Sequence, residues 1–381
     1  MVKKAVSAGL ATLIAVLAFT GCSGGENASQ EKASSNPPVS SQSVSSQVVS
    51  PPVSSQPPKK DPVTSTTANG TKYEIGNDTS DAVKGDYYHN TAEPYNSNYV
   101  TVCGDYALEI FGGASSKAYS DAVTKFSEKY PDAKVSCGII PISSAFNAPE
   151  KYKNQYDLQK KSIDTMYGNM GSKVNTIDIL GALTEHKGEY LYYRTDHHWT
   201  SLGAYYAYAA YMESIGMTPN ALSSYETIKT TGYIGSLYAL CAKPKPASLK
   251  TNPDDTIGRV PHVEYTLTYG STLDPTTKGS ALNPAALGYL MFINGDQPVT
   301  KIVTENKNGR KLAVFKESFG NAVVPYLIDH FEEIYVIDIR ENTPSVATLM
   351  KTKGITDVLI LNYVMGAAGG HVNSLANKLA S

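Results

Sequence analysis

Asp196 and His198 lie two residues apart in the run Tyr192-Tyr193-Arg194-Thr195-Asp196-His197-His198-Trp199-Thr200, just ahead of a helical pattern. A carboxylate this close to an imidazole can orient the ring, fix its tautomer and stabilise the imidazolium that forms when it takes a proton. Such a pair is an acid/base device without a nucleophile. Ser318 is the candidate, in Val314-Phe315-Lys316-Glu317-Ser318-Phe319-Gly320-Asn321, where a strand pattern breaks into a helix pattern. Backbone N–H groups at that helix start would favour an oxyanion beside the hydroxyl, and Gly320 lets the chain bend. Lys316 and Glu317 depart from GxSxG, so the logic of a nucleophile elbow is present without its motif. Asn362, after Asp357-Val358-Leu359-Ile360-Leu361, offers a side-chain amide as oxyanion donor. His197 alternates with His198 and is expected to point elsewhere.

Each residue also has a plainer role. Ser318 can be a helix N-cap, Asp196 likewise, and Asn362 a loop cap. What joins them is placement, since each is expected just past the C-terminal end of a strand, where open α/β sheets gather reactive groups. Asp-His-His also suits Mn²⁺ or Zn²⁺, but such sites need further carboxylate clusters and no Asp-rich motif accompanies this one. No metal and no cofactor is expected. HExxH, Walker and GxGxxG signatures are absent, so a zinc protease, a P-loop NTPase or a dinucleotide enzyme has no support.

The sequence pattern that must position these residues alternates strands with helices. It predicts strands at Tyr99 to Cys103, Ala107 to Phe111, Lys134 to Ile142, Val174 to Leu180 and Glu189 to Tyr193, the last ending at the Asp-His pair. Helices are expected from Ser115 to Tyr130, from Asp157 to Met170, and from Thr200 or Ser201 as N-cap to about Ile215. Residues 218–300 lose the rhythm, carry many prolines and read as a β-rich insertion. The rhythm returns with a strand at Lys301 to Thr304, a hairpin turn over Glu305 to Arg310 with its Asn-Gly pair, and a strand at Leu312 to Phe315. A helix from Gly320 to His330, a strand at Glu333 to Ile339, a helix from Ser345 to Lys353, a strand at Asp357 to Leu361 and a last helix complete it. The class is α/β, a mainly parallel sheet flanked by helices.

Residues 1–21 read as a signal peptide, with Lys3 and Lys4 before an apolar run from Ala5 to Phe19. That run is shorter than the roughly 20 residues of a membrane-spanning helix. Leu17-Ala18-Phe19-Thr20-Gly21-Cys22 resembles a bacterial lipobox, which implies lipidation of Cys22; an ordinary secreted protein is the alternative. From residue 22 to 72 the chain is rich in Ser and Pro, buries too little to fold, and reads as a tether. About 50 residues of flexible coil span roughly 40 Å. The folded domain is placed at 73–381. Cys103, Cys137 and Cys241 form no CxxC pair and no disulfide framework; one disulfide with a spare thiol, or three thiols, both fit. Net charge is −2, and loss of Lys3 and Lys4 with the signal peptide makes it −4. Neither value attracts a polyanion, so nucleic acid is not an expected partner. The 27 tyrosines, against 8 Phe and 1 Trp, suit wet, partly apolar sugar-binding clefts, or reflect composition alone.

With these residues in view, the chain resembles the DHHW protein family of Gram-positive bacteria over roughly residues 95–380. The carrying segment is Tyr193-Arg194-Thr195-Asp196-His197-His198-Trp199-Thr200-Ser201-Leu202-Gly203-Ala204-Tyr205, supported by Gly235-Ser236-Leu237-Tyr238, Lys316-Glu317-Ser318-Phe319-Gly320-Asn321-Ala322 and Pro325-Tyr326-Leu327. That family is similar to SGNH-hydrolase-like acyltransferases, including the alginate O-acetylation proteins, in which an Asp-x-His-Trp motif precedes the Ser segment. Asp196, His198 and Ser318 match those positions. Glu317 stands where the nucleophile motif usually has Asp, with no Gly before it, and Asn362 lacks the usual Gly-x-Asn-Asp surroundings. The resemblance implies an SGNH-like fold and transfer of acetyl groups to a hydroxyl of a cell-wall or extracellular polysaccharide, with a membrane-bound acyl-donor protein as partner. The expectation is an extracytoplasmic, lipid-anchored, Ser-dependent O-acyltransferase or esterase. A non-catalytic lipoprotein that binds cell-wall glycan is the alternative.

Overall fold

The computed structural model describes residues 61–381 apart from 86 and 89–91. The expected signal peptide, Cys22 and the tether as far as residue 60 lie outside the described residues. Strands run in chain order as β1 (Val63–Thr66), β2 (Lys72–Gly76), β3 (Tyr95–Ser97), β4 (Val100–Cys103), β5 (Tyr106–Leu108), β6 (Lys134–Ile140), β7 (Val174–Ile177), β8 (Thr227–Tyr233), β9 (Asp254–Arg259), β10 (Tyr265–Gly270), β11 (Thr277–Gly279), β12 (Val299–Thr304), β13 (Lys311–Lys316), β14 (Glu333–Asp338) and β15 (Asp357–Tyr363). Eight of them form the central sheet, in the order β11-β10-β12-β14-β13-β15-β6-β7. From β14 to β7 the neighbours are parallel; β12, β10 and β11 extend the sheet antiparallel.

Burial explains the sequence pattern. β13 and β15 are apolar on both faces because both are covered, as parallel strands require. Phe315, Ile360 and Cys137 share one face by register. There Phe126 of the Lys117–Lys129 helix meets Phe315 edge-on, ring centroids 5.7 Å apart. Ser136 points to the other face, where Asn175 links it to Ser214 at the end of the Ser201–Ser214 helix. No helix among the described residues is long and apolar enough to cross a membrane.

Five expectations need correction. The tether does not run to residue 72, because β1 already pairs with β2. Glu189 to Tyr193 is not a strand; its apolar look comes from a buried loop that makes a single bridge, Tyr192 to Trp199. The segment from Glu305 to Arg310 is not a hairpin: Gly309 turns the chain with φ of 71°, but β12 pairs with β14 rather than with β13. The helix expected from Gly320 to His330 is a tight 3-10 turn, Ser318–Ala322, followed by the short helix Val324–Leu327. The insertion is β-rich but divided, since β8 and β9 join β1 and β2 in a separate sheet while β10 and β11 join the central one. Cys103, Cys137 and Cys241 are buried and form no disulfide among the described residues.

Candidate active site

The motif loop is closed at its base by hydrogen bonds from Thr200 N–H to Leu191 O (2.8 Å) and from Tyr193 N–H to His198 O (3.3 Å). Thr200 N-caps the following helix by accepting from Gly203 N–H. A side chain at Gly203 would place Cβ 2.6 Å from Leu191 O, so this closure depends on glycine. The Trp199 indole N–H donates to Phe319 O at 2.9 Å. That bond ties the motif loop to the turn carrying Ser318, 120 residues away in sequence.

Three predicted residues meet there. His198 Nε2 is 2.8 Å from Ser318 Oγ, and His198 Nδ1 is 2.6 Å from Asp196 Oδ1. The His198 ring lies flat on Tyr289, centroids 3.8 Å apart and planes 4° apart, and the Tyr289 hydroxyl donates to Phe319 O at 2.8 Å. One tyrosine thus fixes the His198 ring plane and braces the turn that carries Ser318. Ser318 is half-exposed, whereas His198 and Asp196 are buried. Ser318 is thus partly open to solvent while the Asp196 carboxylate is shielded from it.

The turn is built by Glu317. Its carboxylate accepts from Phe319 N–H (3.0 Å) and from Tyr363 N–H (3.0 Å), bridging the ends of β13 and β15. Beneath it, buried Lys316 donates to Asp338 (2.8 Å) and Asp296 (3.3 Å). Arg340 completes the network, and with Lys316 it holds the Asp338 carboxyl well below its ordinary range against the opposing effect of burial.

Asp196 is more thoroughly held than the sequence reveals. Oδ1 also accepts from His198 N–H (2.9 Å); Oδ2 accepts from the Tyr233 hydroxyl (2.7 Å) and Ser236 N–H (2.7 Å). Burial alone would raise its pKa, but the His198 and His197 imidazoles and these donors hold it well below the usual carboxylate range. Burial and the Asp196 charge push the Tyr233 hydroxyl far up, so it remains a donor. Gly235 permits the approach, since a Cβ there would sit 2.3 Å from Asp196 Cβ. Asp254, fully buried at the start of β9, accepts from Arg194 N–H (2.9 Å), Thr195 N–H (3.0 Å), the Thr195 hydroxyl and the Tyr190 hydroxyl.

Tyr233, Asp254 and Tyr289 come from the 218–300 segment and carry no local spacing signal. Only the Gly235-Ser236 pair could have directed attention there. His197 does not point away from His198: their centroids are 3.8 Å apart, and His197 Nδ1 faces Ser236 Oγ. Asn362 is fully buried in β15, with Oδ1 accepting from the Tyr119 hydroxyl (3.0 Å) and Nδ2 unpaired among the described residues. No hydrogen bond joins it to Ser318 among the described residues. Asp196, His197 and His198 bring three potential metal-ligand atoms within 4.8 Å of one another, but both imidazoles also serve the hydrogen bonds just described.

The profile of a family described as DHHW protein matches residues 63–337. Among solved structures, a DHHW family protein from Eubacterium siraeum is similar with a TM-score of 0.71 and 35% identity, covering 76% of this chain and 99% of that one. PatB1 of Bacillus cereus gives a TM-score of 0.61 at 17% identity over 71% of this chain and 98% of its own. The O-acetyltransferase domain of Pseudomonas putida AlgJ gives 0.41 at 13% identity over 75% and 99%. No curated protein matches the chain. The fold is SGNH-hydrolase-like, a mainly parallel sheet flanked by helices.

Proposed function

This chain belongs to the DHHW protein family, and on that footing we propose that it is a Ser-dependent O-acyltransferase acting on a hydroxyl of a cell-envelope polysaccharide. The observation that carries this reading is the line Ser318 Oγ, His198, Asp196, with consecutive separations of 2.8 and 2.6 Å. Its chemistry follows from the geometry. His198 Nε2 takes the Ser318 proton as Oγ attacks the acyl carbon, and Asp196 stabilises the imidazolium. Phe319 N–H is engaged by Glu317 Oε2 and Gly320 N–H by Glu317 O. The Ser318 N–H has no partner among the described residues, so the reading gives it the developing oxyanion. His198 then returns the proton to the departing group, leaving an acyl-enzyme ester on Oγ. A glycan hydroxyl resolves it in transfer; water resolves it in hydrolysis. The reading places the protein outside the cytoplasm, anchored through Cys22, with a membrane-bound acyl-donor protein upstream.

The test is covalent. A fluorophosphonate should label the wild-type chain at Ser318, and p-nitrophenyl acetate should give a burst of p-nitrophenol. Ser318→Ala should abolish both, and His198→Asn should slow them by about a hundredfold or more. Labelling that survives Ser318→Ala would leave the glycan-binding lipoprotein as the reading.

A further inference from the structure

Asp254 is a second fully buried carboxylate beside the motif loop, and no step of the acyl transfer uses it. Among the described residues, every hydrogen bond it accepts comes from that loop. Oδ1 takes the Arg194 N–H at 2.9 Å and the Tyr190 hydroxyl; Oδ2 takes the Thr195 N–H at 3.0 Å and the Thr195 hydroxyl at 2.5 Å. Four donors on two oxygens satisfy a carboxylate held away from water.

The residue gripped most tightly is the one before Asp196. Thr195 is itself fully buried, and its hydroxyl, having donated to Asp254, accepts from the Gly235 N–H at 2.9 Å. The next amide in the chain, Ser236 N–H, donates to Asp196 Oδ2 at 2.7 Å. A line of contacts therefore runs from Asp254 through the Thr195 hydroxyl and the 235–236 backbone to the Asp196 carboxylate. The direction of the hydroxyl matters. Because its proton goes to Asp254, its lone pairs are left for Gly235.

Sheet pairing reinforces this line. Asp254 and Tyr233 stand directly opposite each other in the ladder of β8 and β9. Opposed residues put their side chains on the same face. One rung thus reaches the motif loop twice, with Asp254 on Thr195 and the Tyr233 hydroxyl on Asp196 Oδ2 at 2.7 Å. A register shift between Thr230 and Tyr233 sets this rung apart from the regular ladder, as a bulge does when it re-aims a side chain.

We infer that Asp254 is a positioning residue for the acyl transfer: through the Thr195 hydroxyl it sets the Gly235–Ser236 backbone against Asp196 Oδ2, and so keeps Oδ1 aimed at His198 Nδ1. The kinetic consequence rests on the acyl-transfer reading; the effect on the Asp196–His198 hydrogen bond does not. Asp254→Asn turns one acceptor oxygen into an NH₂ group that meets donors on whichever side it lies, so the grip is broken at nearly constant volume. A displaced Asp196 leaves the imidazole poorly oriented, a fault that slows the chemical step rather than binding.

The experiment compares Asp254→Asn, Thr195→Val and Thr195→Ser in the full chain. In the first two, kcat for p-nitrophenyl acetate should fall about tenfold or more while KM stays within about twofold. Thr195→Ser keeps the hydroxyl and should recover most of the loss seen in Thr195→Val. The proton between His198 Nδ1 and Asp196 gives a readout that needs no turnover. It should resonate far downfield in the ¹H NMR spectrum of the wild type and of Thr195→Ser, and move upfield or vanish in the other two variants. Thr195→Val decides if Asp254→Asn does not fold. Lowered thermal stability with unchanged kcat and an unmoved proton would make Asp254 a brace for the fold alone and overturn the inference. A wild type that neither labels with fluorophosphonate nor turns over overturns the serine reading instead, and the downfield proton then decides the role of Asp254 by itself.

Discussion

The two oxygens of Asp196 do different work. Oδ1 faces the His198 ring and backbone N–H; Oδ2 is occupied by the Tyr233 hydroxyl and the Ser236 N–H. The donors on Oδ2 fix the orientation of the carboxylate and help keep it ionised against burial, so Oδ1 stays aimed at the His198 ring. Tyr233→Phe removes one such donor and leaves Oδ2 less well satisfied. It should lower kcat for p-nitrophenyl acetate about tenfold. The acid limb of the activity profile should also move to higher pH, because losing a donor raises the Asp196 carboxyl, which must stay ionised to orient the His198 ring. A pH–rate profile of the variant checks this, and an unshifted acid limb would mean that Tyr233 only packs. Asp196, His198 and Ser318 were legible because carboxylate, imidazole and hydroxyl occur at recognisable breaks in pattern. Tyr233, Asp254 and Tyr289 were not, since a residue that works by meeting another across the fold leaves no spacing to read.

Glu317 joins two elements that would otherwise end independently. Its carboxylate accepts N–H groups from the Ser318 turn and from the end of β15. Glu317→Ala would strand both donors in a buried place, at a cost of about 1–3 kcal/mol for each. Urea unfolding should show a loss of that order, together with reduced labelling of Ser318; full stability in the variant would show that the strut is dispensable. At this scale the sequence was a good guide where one element sits in one environment. The buried strands β6, β13, β14 and β15 and the helix capped at Thr200 fall close to where periodicity put them. It misled where local chemistry is shared by different topologies. Asn308-Gly309 does turn the chain, but the strands on either side take separate slots. Glu189 to Tyr193 is apolar because a loop can be buried too when its polar groups find partners, as with Tyr190 and Asp254.

For the molecule as a whole, the lipid anchor proposed at Cys22 and the 22–60 stretch bear on where the site works rather than on how. Cys22→Ser in the full chain should move the protein from the membrane fraction to the medium, while its p-nitrophenyl acetate turnover stays within about twofold of wild type. Retention in the membrane fraction would count against lipidation. The order of the central sheet has a consequence of another kind. Both neighbours of β13 follow it in the chain, and β6 finds its inner partner only in β15, the last strand among the described residues. Because pairings distant in sequence form late, a polypeptide exported N-terminus first would cross the bilayer as an inert thread. Under the proposed acyl-transfer reading, Ser318 would gain its neighbours only after β15 had emerged, on the side where that reading places the acyl acceptors.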